Sequence, residues 1–216
     1  MKIECIYGYN FDSNIYVVDG KIPTIIDCGT GLYHSDVIEK IKKIIDIKEI
    51  KQIILTHEHY DHCGGVKKLY DEIEKKPKIL AHYKTSEKIE KGISIFAQML
   101  GGKMPKINID IKIKNEEIID IGDESFKLLL TPGHSPGSIC LYNENKKSLV
   151  SGDTIFSYGS FGRYDLPGGS YNQLKKSIER LNVLDIENLY PGHDIFIERE
   201  GNNHIKMAFK NIRCLE

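Results

Sequence analysis

The sequence predicts an α/β (α+β) chain in which two sheets pack together with helices outside. Three observations carry that expectation. Strand-like apolar runs occur in both halves of the chain. Amphipathic helical spacings follow them in each half. Histidine- and aspartate-bearing turns sit directly after several of the apolar runs.

Asn14 to Val18 and Thr24 to Ile26 are β-branched and apolar, with the turn signal Asp19-Gly20 between them. Tyr33 to Ile45 carries Val37, Ile38, Ile41, Ile44 and Ile45, the spacing of a helix with one apolar face. Gln52 to Leu55 reads as a short buried strand, Gly64 to Glu74 as a helix and Ile79 to Ala81 as a strand. The second half repeats the order. Strands are expected at Ile109 to Ile113, Glu117 to Ile119, Phe126 to Leu130, Ser138 to Tyr142, Ser148 to Val150 and Asn188 to Tyr190. Helices are expected at Tyr171 to Leu181 and Asn203 to Ile212. Ile95 to Met104 is less regular and reads either as a flap or as a short packed helix.

A length of 216 residues suits a single domain over 1–216, large enough to bury a core without disulfides. The 30 basic and 31 acidic residues leave a formal charge of -1, which offers no broad field for nucleic acid, and none is expected as a partner. No apolar run approaches the ~18 residues of a membrane span, and Met1 to Asn10 lacks the layout of a signal peptide. The five cysteines are scattered, which fits reduced thiols and a cytoplasmic location. Cys63 lies beside a histidine cluster, where a small apolar filler also fits.

That cluster is Thr56-His57-Glu58-His59-Tyr60-Asp61-His62, between an apolar strand and Gly64-Gly65. In a helix, His57 and His59 would point about 200° apart. In an extended segment positions 57, 59 and 61 share a face, and a turn at Asp61-His62 swings His62 toward it. The glycines then allow a tight exit into a helix. Imidazole and carboxylate donors suit zinc, iron or manganese, and four of them in so short a stretch exceed what one open catalytic ion takes. Three later turns repeat the pattern of strand followed by donor: Thr131-Pro132-Gly133-His134-Ser135-Pro136-Gly137, Ser151-Gly152-Asp153-Thr154 and Pro191-Gly192-His193-Asp194.

The ordered set H-x-H-x-D-H, then His, Asp and His, resembles the metallo-β-lactamase superfamily from His57 to His193. Within it, Thr131 to Ser138 and Phe161 to Gly169 look most like the glyoxalase II-type (hydroxyacylglutathione hydrolase-like) thioester hydrolases. The resemblance implies a four-layer αβ/βα sandwich of two mixed sheets. It implies two divalent ions, zinc first, with iron or manganese as alternatives. His57, His59 and His134 would hold the first ion, Asp61, His62 and His193 the second, and Asp153 would bridge. It further implies hydrolysis of a small-molecule thioester by a metal-bridging hydroxide that Asp61 orients. Asp27 matches a position that supports the metal loop, or is simply a turn residue. Arg163 either holds a substrate carboxylate or forms a structural ion pair.

Departures from relatives narrow the substrate. True β-lactamases carry cysteine where this chain has Asp153 and usually lack His62; the related lactonases carry tyrosine where it has Phe156. Full-length glyoxalase II enzymes add a helical region for glutathione, and only Asp194 to Glu216 follow the last candidate ligand, which leaves the thiol carrier open. Two other activities of the same fold stay as alternatives: a mononuclear iron persulfide dioxygenase using His57, His134 and Asp153, and a phosphodiesterase.

Overall fold

A computed structural model describes residues 2–114 and 116–215. The chain divides into two compact units. The first takes in the residues up to Lys114 together with Asp120–Ser125; the second takes in the stretch ending at Ile119 and the chain from Phe126 onward.

The first unit is built on a six-stranded mixed sheet. Its strands are β1 (Lys2–Ile6), β2 (Ile15–Asp19), β3 (Thr24–Ile26), β4 (Gln52–Leu55), β5 (Lys78–His82) and β6 (Ile111–Ile113), in that spatial order. β1, β2 and β3 pair antiparallel; β3 to β6 pair parallel. Parallel neighbours need long crossovers. Helix α1 (His34–Ile44) supplies the one from β3 to β4, and α2 (Tyr60–Cys63) with α3 (Val66–Glu72) the one from β4 to β5. Ile53, Ile54 and Leu55 of β4 are fully buried, the continuous apolar run of a strand covered on both faces. α1 buries Ile38 and Ile41 and carries Asp36 in its first turn and Lys42 and Lys43 in its last, as the helix dipole favours. Two short helices follow β5: α4 (Tyr83–Lys91) and α5 (Ile95–Met99).

The second unit holds a five-stranded mixed sheet, ordered β11-β10-β9-β8-β7. Its strands are β7 (Ile118–Asp120), β8 (Ser125–Leu130), β9 (Ile139–Asn143), β10 (Ser148–Gly152) and β11 (Asn188–Pro191). β8, β9 and β10 pair antiparallel, while β10 and β11 run parallel, joined through α6 (Tyr171–Leu181). The chain then continues into α7 (Gly201–Arg213). Leu174, Ile178 and Leu181 of α6 and Ile205, Ala208 and Ile212 of α7 share one apolar cluster with Leu129, Leu149 and Leu189 from the strands. Among the described residues no helix is long and apolar enough to cross a membrane.

Between Ile95 and Met104 the chain forms the short helix α5 (Ile95–Met99), followed by a turn and an irregular stretch that packs back on the core at Met104. The Ser94 hydroxyl caps α5 by accepting from the Ala97 N–H at 3.3 Å, Ala97 and Met104 are buried, and a side chain at Gly102 would strike the Tyr60 ring.

Candidate metal centre

Every sequence-predicted donor lies just past the carboxyl end of a strand. In the first unit these ends are β3, followed by Asp27, and β4, followed by His57 to His62. In the second they are β8, followed by His134, β10, followed by Asp153, and β11, followed by His193. Loops held by strand ends combine a rigid base with an accessible tip, where reactive groups concentrate.

The first unit gathers His57, His59, Asp61 and His62. The rings of His57 and His59 meet edge to face at 4.7 Å between centroids, and those of His57 and His62 at 4.1 Å. All three rings are buried. The extended stretch ends earlier than the alternation predicts. His59 is extended, but α2 begins at Tyr60, so Asp61 and His62 both lie on a helical turn and reach the cluster by rotation rather than by strand alternation. The Cys28 N–H, donating to the His62 carbonyl at 2.7 Å, fixes that turn. Gly64 and Gly65 serve space rather than unusual dihedrals. Gly65 sits in the ordinary helical region, and a Cβ there would lie 2.1 Å from the Cys28 carbonyl oxygen.

Asp27 organises this half. Its φ of 62° is left-handed, a conformation that Asp tolerates better than most residues. It persists because the carboxylate is heavily engaged. Oδ1 accepts from the Thr56 N–H at 2.8 Å, and Oδ2 accepts from the Thr56 hydroxyl at 2.7 Å and from His62 Nδ1 at 2.7 Å. Asp27 is therefore both the turn residue and the support of the histidine loop.

The second unit gathers His134, Asp153 and His193. Asp153 Oδ2 lies 3.4 Å from His134 Nε2 and 3.7 Å from His193 Nε2. The Arg163 carbonyl accepts from His134 Nδ1 at 2.7 Å. That carbonyl can approach because position 162 is glycine: a Cβ there would lie 2.0 Å from the Asp153 carbonyl oxygen and 2.7 Å from His134 Nδ1. Gly133, at φ 136°, packs equally tightly on the start of α6, 2.1 Å from the Leu174 nitrogen to a Cβ built on it. The Arg163 guanidinium makes a two-pronged pair with exposed Asp165, at 3.0 and 2.7 Å. Phe156 sets its ring against His193, 5.8 Å between centroids.

The chemistry of the donors fits a divalent metal. A carboxylate and a carbonyl only accept, so Asp27 and the Arg163 carbonyl fix the proton of His62 and His134 on Nδ1 and leave Nε2 as the lone-pair nitrogen. In each unit that nitrogen lies close to a carboxylate oxygen. His62 Nε2 lies 3.6 Å from Asp61 Oδ2, beside the 3.4 Å and 3.7 Å separations around Asp153. Such spacings exceed a hydrogen bond. They approach the ~3.3–3.4 Å edge between two ligands each about 2.0–2.1 Å from one tetrahedral ion.

Three groups of this neighbourhood carried no signal in the sequence. Asp12 is buried, and its Oδ1 accepts from the Thr30 N–H at 2.8 Å; burial, with Asp61 adding to it, holds its carboxyl above the usual range. Thr56 links Asp27 to the histidines. The Arg163 backbone oxygen acts where only the side chain of that residue suggested a role.

A mixed-sheet chain with histidines and aspartates at its strand ends has the build of a metal-dependent hydrolase. The metallo-beta-lactamase superfamily profile matches residues 8–193, and the chain belongs to that superfamily. A probable metallo-hydrolase of Methanocaldococcus jannaschii is 36% identical over 211 residues, covering 93% of this chain and 96% of that protein. A hydroxyacylglutathione hydrolase of Francisella tularensis is 30% identical over 172 residues, covering 76% of this chain and 60% of that enzyme. Among solved structures, the B3 metallo-beta-lactamase BLEG-1 aligns with a TM-score of 0.80 at 26% identity, covering 97% of each chain. A protein solved in a di-iron-bound form aligns with a TM-score of 0.75 at 27% identity, covering 96% of each.

Proposed function

We propose that this chain hydrolyses small thioesters of the hydroxyacylglutathione type with two divalent ions. The observation that carries the reading is the fixed tautomer of His62 and His134, each presenting Nε2 beside a carboxylate. In this reading, taken from the likeness to the family, His57, His59 and His134 would hold one ion, Asp61, His62 and His193 would hold the other, and Asp153 would serve both. Zinc is the first choice, and iron or manganese suits the same donors.

Two such cations, when bound, would lower the pKa of a water toward neutrality and polarise a substrate carbonyl. The protein's own part is orientation. Asp61 lies at the rim of the cluster, its side chain 19% exposed, where one carboxylate oxygen can accept a hydrogen bond from the attacking water. Asp27 and the Arg163 carbonyl hold two of the imidazoles in place, so little reorganises during reaction. A cysteine nucleophile has no place in this scheme. Burial pushes the Cys63 and Cys28 thiols well above their ordinary range, so both stay protonated at neutral pH. Cys63 instead is the buried last residue of α2, its thiol donating to the His59 carbonyl at 2.9 Å.

The 30% identity to hydroxyacylglutathione hydrolase supports the thioester assignment, and the likeness to a B3 metallo-beta-lactamase defines its competitor. Turnover of S-lactoylglutathione and of a chromogenic β-lactam by the same preparation separates them. The reading expects the thioester to be cleaved with a kcat/KM at least about a hundredfold higher, roughly 2.7 kcal/mol in transition-state stabilisation. Equal or preferred β-lactam cleavage overturns it.

A further inference from the structure

Glu58 stands between His57 and His59, yet its carboxylate takes no part in the histidine cluster. Its side chain is 3% exposed. Oε1 accepts from Lys88 Nζ at 2.9 Å and Oε2 accepts from the Thr85 hydroxyl at 3.1 Å. Both partners lie on α4, three residues apart and therefore on one face of that helix. The helix is anchored in turn: it leaves directly from the end of β5, the strand paired with β4, and its Ile89 is fully buried in the core.

Burying a glutamate is costly, and its partner Lys88 has a side chain 40% exposed, so solvent screens the pair and it adds little to stability. Stability alone therefore gives a poor account of a carboxylate at this position. Geometry gives a better one. Backbone alternation sends the side chain of residue 58 away from those of 57 and 59, so a tether on Glu58 fixes the segment from behind without occupying the cluster. Asp27 and Thr56 hold the loop through its start and through His62; Glu58 holds its middle.

We infer that Glu58, with Thr85 and Lys88, is a positioning clamp that sets how His57 and His59 present themselves to a metal ion. The inference rests on the reading of those two histidines as ligands. Groups that hold ligands in place typically alter metal affinity about 10–100-fold when removed.

The test uses the full chain with Glu58→Gln, Thr85→Val, Lys88→Met and Lys88→Arg. Zinc affinity is read by competition with a chelating indicator, the ligand field by the visible spectrum of the cobalt-loaded protein, and the melting temperature on the metal-free protein. Glu58→Gln is expected to weaken zinc binding about tenfold or more and to shift the cobalt bands, Lys88→Met to do the same to a lesser degree, and Lys88→Arg to stay within about twofold of the parent. Zinc affinity within about twofold of the parent and an unchanged cobalt spectrum in Glu58→Gln overturn the clamp, whatever happens to the melting temperature. If Glu58→Gln does not fold, Thr85→Val and Lys88→Met decide by the same two readouts. A parent protein that binds no metal sinks the ligand reading and the clamp together; a parent that binds metal beside an unaffected Glu58→Gln sinks the clamp alone.

Discussion

Asp27→Asn isolates the contribution of one buried charge to the histidine loop. Asparagine tolerates the left-handed φ of 62° and fills the same space, so the backbone is spared. Its remaining oxygen can still accept from the Thr56 N–H, now 2.8 Å from Asp27 Oδ1. The new amide replaces Oδ2, which accepts at 2.7 Å from both the Thr56 hydroxyl and His62 Nδ1. The hydroxyl can rotate and accept from the amide. The His62 ring cannot adapt in that way: an N–H facing an N–H is repulsive, and relief requires the proton to move from Nδ1 to Nε2. The lost charge-assisted bond costs about 1.5–3 kcal/mol of stability. The moved proton blocks the nitrogen assigned to the metal, so affinity there falls about 10–100-fold. Chelator competition reads the affinity, and nitrogen-15 NMR of the metal-free protein reads the tautomer. Retained Nδ1 protonation with zinc affinity within about twofold of the parent would refute the argument.

Three further perturbations have defined outcomes. Gly162→Ala drives a methyl group to 2.0 Å from the Asp153 carbonyl and 2.7 Å from His134 Nδ1, so metal content and thioesterase activity should fall together, activity by at least about tenfold; activity within about threefold contradicts the packing. Arg163→Ala removes an exposed pair with Asp165 and leaves the backbone carbonyl in place, so the urea midpoint and the metal content should both match the parent; a clear loss of either contradicts it. His204 has a pH signature: burial holds its ring below the usual histidine range, and Nδ1 accepts from the Tyr158 N–H at 2.7 Å. A base with a lowered folded pKa gives stability that is complete above the unfolded value of 6.5 and is lost as pH falls toward the folded one. The melting temperature of the parent should therefore drop more steeply below about pH 6.5 than that of His204→Asn, which keeps an acceptor but cannot titrate; parallel curves contradict it.

The apolar periodicity made much of the framework legible. β3, β4 and α6 fall where the sequence places them, because each is a short run with one burial pattern and clear flanks. β1 escaped notice because Lys2 to Ile6 mixes charge with half-buried positions. α4 escaped because it buries Thr85 and Ser86 through hydrogen bonds, leaving Ile89 as its one fully buried apolar residue and no apolar stripe to read. The donor residues were visible because their types and order are unusual. Apart from Asp27, their supports were not, since Asp12 meets Thr30, and the Arg163 carbonyl meets His134, only when the fold closes 18 or 29 positions of chain. The helical turn at Tyr60 was equally hidden: local alternation favours extension, and the tertiary bond from Cys28 to His62 wins.

The most direct test of the central claim is elemental analysis of the purified protein, followed by S-lactoylglutathione hydrolysis before and after chelation. The account predicts about two divalent ions per chain and cleavage that disappears on chelation and returns when the metal is restored. One iron per chain, no thioester cleavage and oxygen uptake with glutathione persulfide would contradict it.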